Sequence, residues 1–185
     1  MQGYNAHDMA RSFRTVRSNT IKVAEDIPED QYGYRAAPEL KSVGETLAHL
    51  AVATGFPKQV HSERITVATM DRFSVAMQEI MQQTAALKTK PQILDALRKN
   101  GEEFAAWLDS LPNDMLAETV QFAPPLQQPP KTRFEILLGV KEHEMHHRAQ
   151  LMLVERMLGI VPHLTREREA FMAELQKKQA GASGA

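Results

Sequence analysis

The chain has 185 residues, 43% hydrophobic and 24% charged, and 22 basic against 23 acidic side chains leave a formal charge of −1. That balance suits one globular domain with a sizeable core, and it lacks the one-signed field that nucleic acid or an anionic membrane surface selects. Cysteine is absent, which removes disulfides, thiolate ligands and a cysteine nucleophile together.

The opening MQGYNAHDMARSFRTVR carries charges where a signal peptide needs its apolar stretch. The longest apolar-leaning uncharged run, LAHLAVATGF, falls well short of the ~20 residues of a membrane span. The expectation is a soluble, cytoplasmic protein with neither nucleic acid nor membrane as partner.

The dominant period is helical. Met9, Phe13, Val16, Thr20 and Val23 recur at spacings of three and four, predicting an amphipathic helix that stops near Ile27-Pro28. DQYGYRAAPELKS then reads as a loop. Ser42 is an N-cap candidate with Glu45 three residues on, so a second helix is expected from there to about Ser62, with a kink or break at Pro57.

Residues 66–87 show a looser, methionine-rich stripe of Met70, Phe73, Met77, Ile80, Met81 and Thr84. A further helix is predicted from Lys90-Pro91 through Leu111, ending before Pro112. Four prolines between 124 and 130 make the next segment a crossover or loop. Thr132 and Glu135 repeat the capping pattern and open a long helix to Leu158-Gly159, where glycine suits the left-handed C-terminal position. TREREAFMAELQKKQ reads as a charged helix with a thin apolar stripe (Phe171, Leu175), and AGASGA as a flexible tail. ITVAT and FAPPL are too short to build a sheet. The fold class is therefore all-α, with a four-helix bundle as the natural packing.

The chemistry concentrates in KEHEMHHRAQL. His143 and His147 lie one helical turn apart, ~40° apart on one face, and share a stripe with Ile136, Val140, Leu151, Val154 and Leu158. Two imidazoles at that spacing chelate one cation; the plain alternative is a pair of core histidines with backbone partners. His49, on an early helix that is apolar nearly all round, becomes the third ligand if the two helices face each other. Three protein nitrogens leave coordination positions open, the pattern of a catalytic centre. His146 lies to one side of the stripe, as a proton carrier at the rim or a half-exposed flank residue. Glu144 lies on the other side, as a base or orienting group or as a solvated carboxylate. His7, His61 and His163 have no partner in spacing and default to surface or loop residues.

HEMHH also reads H-E-x-x-H, the zinc-peptidase signature. The downstream glycine and third histidine are missing, replaced by Gln150 and Leu153, and no strand precedes the helix. Glu167, Glu169 or Glu174 would have to supply a glutamate ligand instead.

The combination of VGETLAHLA, HEMHHRAQL and LVERMLGIVPHL, with IPEDQYGYRAAPELKS ahead of it, resembles the DinB/YfiT-like superfamily over about residues 5–165. The resemblance implies a four-helix bundle of up-down-down-up topology with extra short helices, and a long crossover at residues 112–131. It divides the chain into a metal-binding bundle, 1–165, and a charged C-terminal helix with tail, 166–185. It implies a divalent metal, nickel or zinc, held by His49, His143 and His147, and a homodimer. Ala149 stands where the family usually has glycine. The activities implied are metal-dependent hydrolysis, or transfer and isomerisation using a low-molecular-weight thiol, on a small-molecule substrate. The rival expectation is a non-enzymatic, stress-associated metal-binding dimer.

Overall fold

The computed structural model describes residues 3–126 and 128–182. Its elements run α1 (Ala6–Asp26), α2 (Val43–Val52), α3 (Gly55–Ser62), β1 (Val67–Ala68), α4 (Met70–Ala86), α5 (Lys90–Asp109), β2 (Thr119–Phe122), β3 (Lys131–Thr132), α6 (Arg133–Met157) and α7 (His163–Ala182). Local chemistry explains most of the boundaries. Ser42 with Glu45 and Thr132 with Glu135 form reciprocal capping boxes at the starts of α2 and α6, and Gly159 takes φ 77° beyond the end of α6. Asn5 with Asp8 and Thr89 with Gln92 cap α1 and α5 in the same way.

Helices α1, α2, α5 and α6 form the bundle. α1 and α2 each pack on α5 and α6, so they sit diagonally opposite one another. Cross-helix pairs fix the directions. His7 meets Asp109 at 2.6 Å and Glu25 meets Arg98 at 2.7 Å, so α1 and α5 are antiparallel. Tyr4 stacks edge-on with Phe134 and Arg17 pairs with Glu144, so α1 and α6 are parallel. His49 meets His143 while Val43 and Val154 share one cavity wall, so α2 and α6 are antiparallel. The bundle is therefore up-down-down-up.

The core has two storeys. One joins Val23, Ile27, Leu47, Leu50, Leu97 and Leu151; the other joins Met9, Phe13, Phe104, Leu108 and Leu137. In the second, Phe13 and Phe104 meet edge-to-face at 4.9 Å, an arrangement worth ~0.5–1.5 kcal/mol beyond the area buried.

Four expectations need correction. The crossover is the segment from α3 to α4, not 112–131: α2 and α5 point the same way, so the chain must return along the bundle between them, and α4 makes that return. Its methionine stripe only partly meets the bundle. Met77 and Ile80 are half-buried while Phe73 and Met81 are exposed. The second helix does not continue to Ser62 through Pro57. It ends at Val52, and Pro57 falls in the first turn of α3, where its missing N–H has no helical acceptor to lose.

Short strands exist too. β1 pairs parallel with β2 (Val67↔Gln121) and β2 antiparallel with β3 (Thr119↔Thr132). Runs of two to four residues carry too little alternation to register in sequence. The inward face of α6 is also rotated from the apolar stripe. Leu137 and Leu151 are buried alongside Arg133, Glu144 and Glu155. Hydropathy places such charges outside, but two of the three have built partners in the interior.

α7 begins at His163, slightly before the expected division at 166, and runs through Ala182, so the AGASGA segment starts as helix; residues 183–185 lie outside the described residues. Arg166–Asp26 and Lys22–Glu167, both 2.7 Å, tie its first turns to α1, while Phe171 is 59% exposed. No described helix is long and apolar enough to cross a membrane.

Candidate metal centre

α2 descends past the rising middle of α6, and this brings His49 against His143 and His147. Nε2 of His49 lies 3.2 Å from Nε2 of His143, and one nitrogen from each of the three imidazoles falls within 4.8 Å of the others. Two nitrogens bound at ~2.0–2.1 Å to a tetrahedral ion lie ~3.3 Å apart, so the spacing fits a shared cation. All three rings are half-buried. Burial first, and then neighbouring positive charge, pushes His49 down to about 4 and lowers His143; burial also lowers His147. Burial thus favours the neutral form of each ring, the form that donates to a metal.

Gln150 sets the orientation of one ligand. Its Oε1 accepts from Nδ1–H of His147 at 2.9 Å, which leaves Nε2 of that ring as the free lone pair. Its Nε2 then donates to Nε2 of His146 at 3.1 Å. His146 is exposed at the rim, linked to the trio through this amide.

Glu144 sits elsewhere. Its side chain is 2% exposed, and Arg17 Nε and Nη2 donate to its two oxygens at 2.8 and 2.9 Å. The same guanidinium donates to the Leu97 carbonyl through Nη1 and to the Leu50 carbonyl through Nη2, both at 3.0 Å. One side chain from α1 therefore fastens the residue after His49 and the residue after His143. Arg17 was legible in principle: it lies four residues after Phe13 and three before Thr20, a charge on the core stripe.

Two expected surface histidines are interior. His61 is fully buried, receives a hydrogen bond from Arg133 Nη1 at Nδ1 (3.0 Å), and is pushed down to about 4 by burial and by that guanidinium. His163 is 3% exposed beside Asn19. His7 is exposed, as expected, and meets Asp109. The trio of His49, His143 and His147 is the one group of potential ligands found among the described residues, so Glu167, Glu169 and Glu174 do not join His143 and His147.

Cavities open on either side of the trio. One of about 490 Å³ between α2 and α6 includes His147, Gln150, Val43, Leu151 and Val154 in its wall. The other, about 790 Å³, is bordered by His49, α4 and the loop before α2.

A sequence profile of the DinB superfamily matches residues 12–151, which span all three histidines. The chain belongs to the DinB superfamily. Among solved structures, a DinB-like protein from Bacillus subtilis is 21% identical with a TM-score of 0.61, covering 82% of this chain and 91% of that one. A DinB-like protein from Bacillus cereus is 15% identical with a TM-score of 0.66, over 87% and 97% of the two chains. YfiT from Bacillus subtilis, described as a probable metal-dependent hydrolase with an unusual four-helix bundle topology, is 17% identical with a TM-score of 0.65, over 86% and 91%. These likenesses show the shared bundle. No curated protein sequence matches the chain.

Proposed function

We propose that this DinB-superfamily member is a metal-dependent hydrolase of small molecules, with nickel or zinc held by His49, His143 and His147. The convergence of three imidazoles beside an open cavity carries this reading. A divalent cation there supplies Lewis-acid polarisation and lowers the pKa of water or a thiol bound to it. The chain's own groups do the rest. Gln150 holds the ring of His147, and His146, exposed at the rim and held by the same amide, exchanges protons with solvent. Glu144, held by Arg17, fixes the spacing of the two ligand-bearing helices rather than serving as the base. The description of YfiT as a hydrolase agrees with the reading.

Thiol transfer is the second reading, favoured by the presence of a cavity on each side of the trio, room for two reactants. With no cysteine in the chain, the sulfur comes from a small thiol. The homodimer belongs to the same proposal, with exposed Leu153, Met157 and Phe171 offering an apolar face; sedimentation reads it directly.

The deciding experiment starts with metal analysis of protein purified without a nickel column. About one divalent ion per chain is expected, lost in His49→Ala with helicity retained. Esters, amides and thiol–electrophile pairs are then screened with and without chelator. Chelator-sensitive ester or amide cleavage supports the hydrolase, and turnover only with a thiol supports transfer. Metal without turnover leaves the binding-protein alternative, and protein that takes up no metal sinks all three.

A further inference from the structure

Lys41 ends the loop between α1 and α2, one residue before the Ser42 cap, and the loop is built rather than loose. Val43 N donates to Tyr34 O at 3.0 Å, Gly44 N to Tyr32 O at 2.8 Å, and Arg35 pairs with Glu45 at 2.8 Å. Lys41 is exposed and lines both cavities, the one that includes His147 and the one that includes His49. Among the described residues it has no ion pair and no side-chain hydrogen bond, whereas Arg35 in the same wall is matched by Glu45. Glu39 lines the same two cavities but makes no ion pair with Lys41.

A free ammonium beside a cation site places like charges together. An anion lying between them would offset that repulsion. The cavity wall beside His147 is largely apolar, from Leu40, Val43, Leu151 and Val154, with Glu39, Thr46 and Gln150 among its other polar members besides Lys41, and its volume of about 490 Å³ suits a small ligand. One ammonium matches one monoanion.

We propose that Lys41 is the anion-recognising residue of this site, binding the carboxylate of a small apolar acid. The acid's body lies in the cavity between α2 and α6, and its far end approaches the three histidines. Lys41 thereby selects carboxylate-bearing substrates. This rests on the trio's being a metal site, and the test separates the two ideas.

Zinc is first titrated alone into wild type, Lys41→Gln, Lys41→Arg and His49→Ala. Calorimetry then measures hexanoate and its neutral counterpart hexanamide against the zinc-loaded and metal-free proteins. Zinc affinity is expected to be unchanged or tighter in Lys41→Gln. Hexanoate should bind wild type about tenfold or more tightly than hexanamide, Lys41→Gln should lose that preference, and Lys41→Arg should stay within about threefold of wild type. Hexanoate binding Lys41→Gln as well as wild type, or binding neither, overturns the role of Lys41. Zinc that fails to bind wild type, or that binds His49→Ala equally, overturns the metal reading instead. A Lys41-dependent preference for hexanoate in metal-free protein would still support the anion site.

Discussion

Arg17 and Glu144 form an ion pair across the middle of the bundle, with side chains 4% and 2% exposed and Nε–Oε1 at 2.8 Å. With carbonyls of Leu50 and Leu97 as its other acceptors, the guanidinium ties α1 to α2, α5 and α6 at one level. Removing one partner leaves an uncompensated buried charge, which costs about 3–5 kcal/mol. Glu144→Gln and Arg17→Met should each lower unfolding free energy in urea by amounts of that order. The double replacement Arg17→Met with Glu144→Leu should recover part of the loss, and a result in which Glu144→Gln is as stable as wild type would contradict the clamp.

The clamp also needs space on α5. A Cβ at position 101 would lie 2.7 Å from Arg17 Cγ, within the helix face that Arg17 crosses. Gly101→Ala should therefore destabilise by about 1–3 kcal/mol, although alanine favours an ordinary helix interior. A thermal melt of the two proteins at one pH reads this.

Gln150 is the only residue seen to hydrogen-bond a ring of the trio from outside it, among the described residues. Gln150→Leu keeps the helix but frees the ring of His147. Zinc affinity is expected to fall about 10–100-fold with little change in stability without metal. Competition against a chromophoric chelator measures it, and unchanged affinity would show that the ring needs no such support.

Two buried groups give opposite pH limbs. His61, pushed down to about 4, is disfavoured as a cation in the fold. Its contribution is intact above the unfolded pKa of ~6.5 and is lost as pH falls towards 4, up to about 3 kcal/mol. Replacing His61 by leucine should reduce the slope of stability against pH in that window, even where the loss of the Arg133 contact lowers the whole curve.

Glu155 behaves in the reverse sense. Burial, with Asp26 second, pushes it up to about 7, and neither carboxylate oxygen has a hydrogen-bond partner among the described residues. Its neutral form is the one the fold accepts, so stability is intact below ~4.5 and is lost as pH rises through about 7. Glu155→Gln should gain about 2 kcal/mol at pH 8 and nothing at pH 4.5, read from urea unfolding at the two values.

The helices, their caps and the histidine pair could be read from the chain because each rests on residues three or four apart. Phe13 and Val16, Ser42 and Glu45, and His143 and His147 are neighbours through local geometry, which the sequence states directly. Other features were decided by packing. His49 meets His143 across 94 positions, and Glu144 meets Arg17 across 127. A carboxylate next to two histidines reads as exposed or catalytic until the partner that neutralises it is known. The same holds for Arg133 and His61, 72 positions apart, and for strands of two residues that pair only after the helices align them. Local periodicity specified which segments are helical and which faces are apolar. Desolvation and long-range charge pairing, which depend on the three-dimensional neighbour, decided which polar groups went inside.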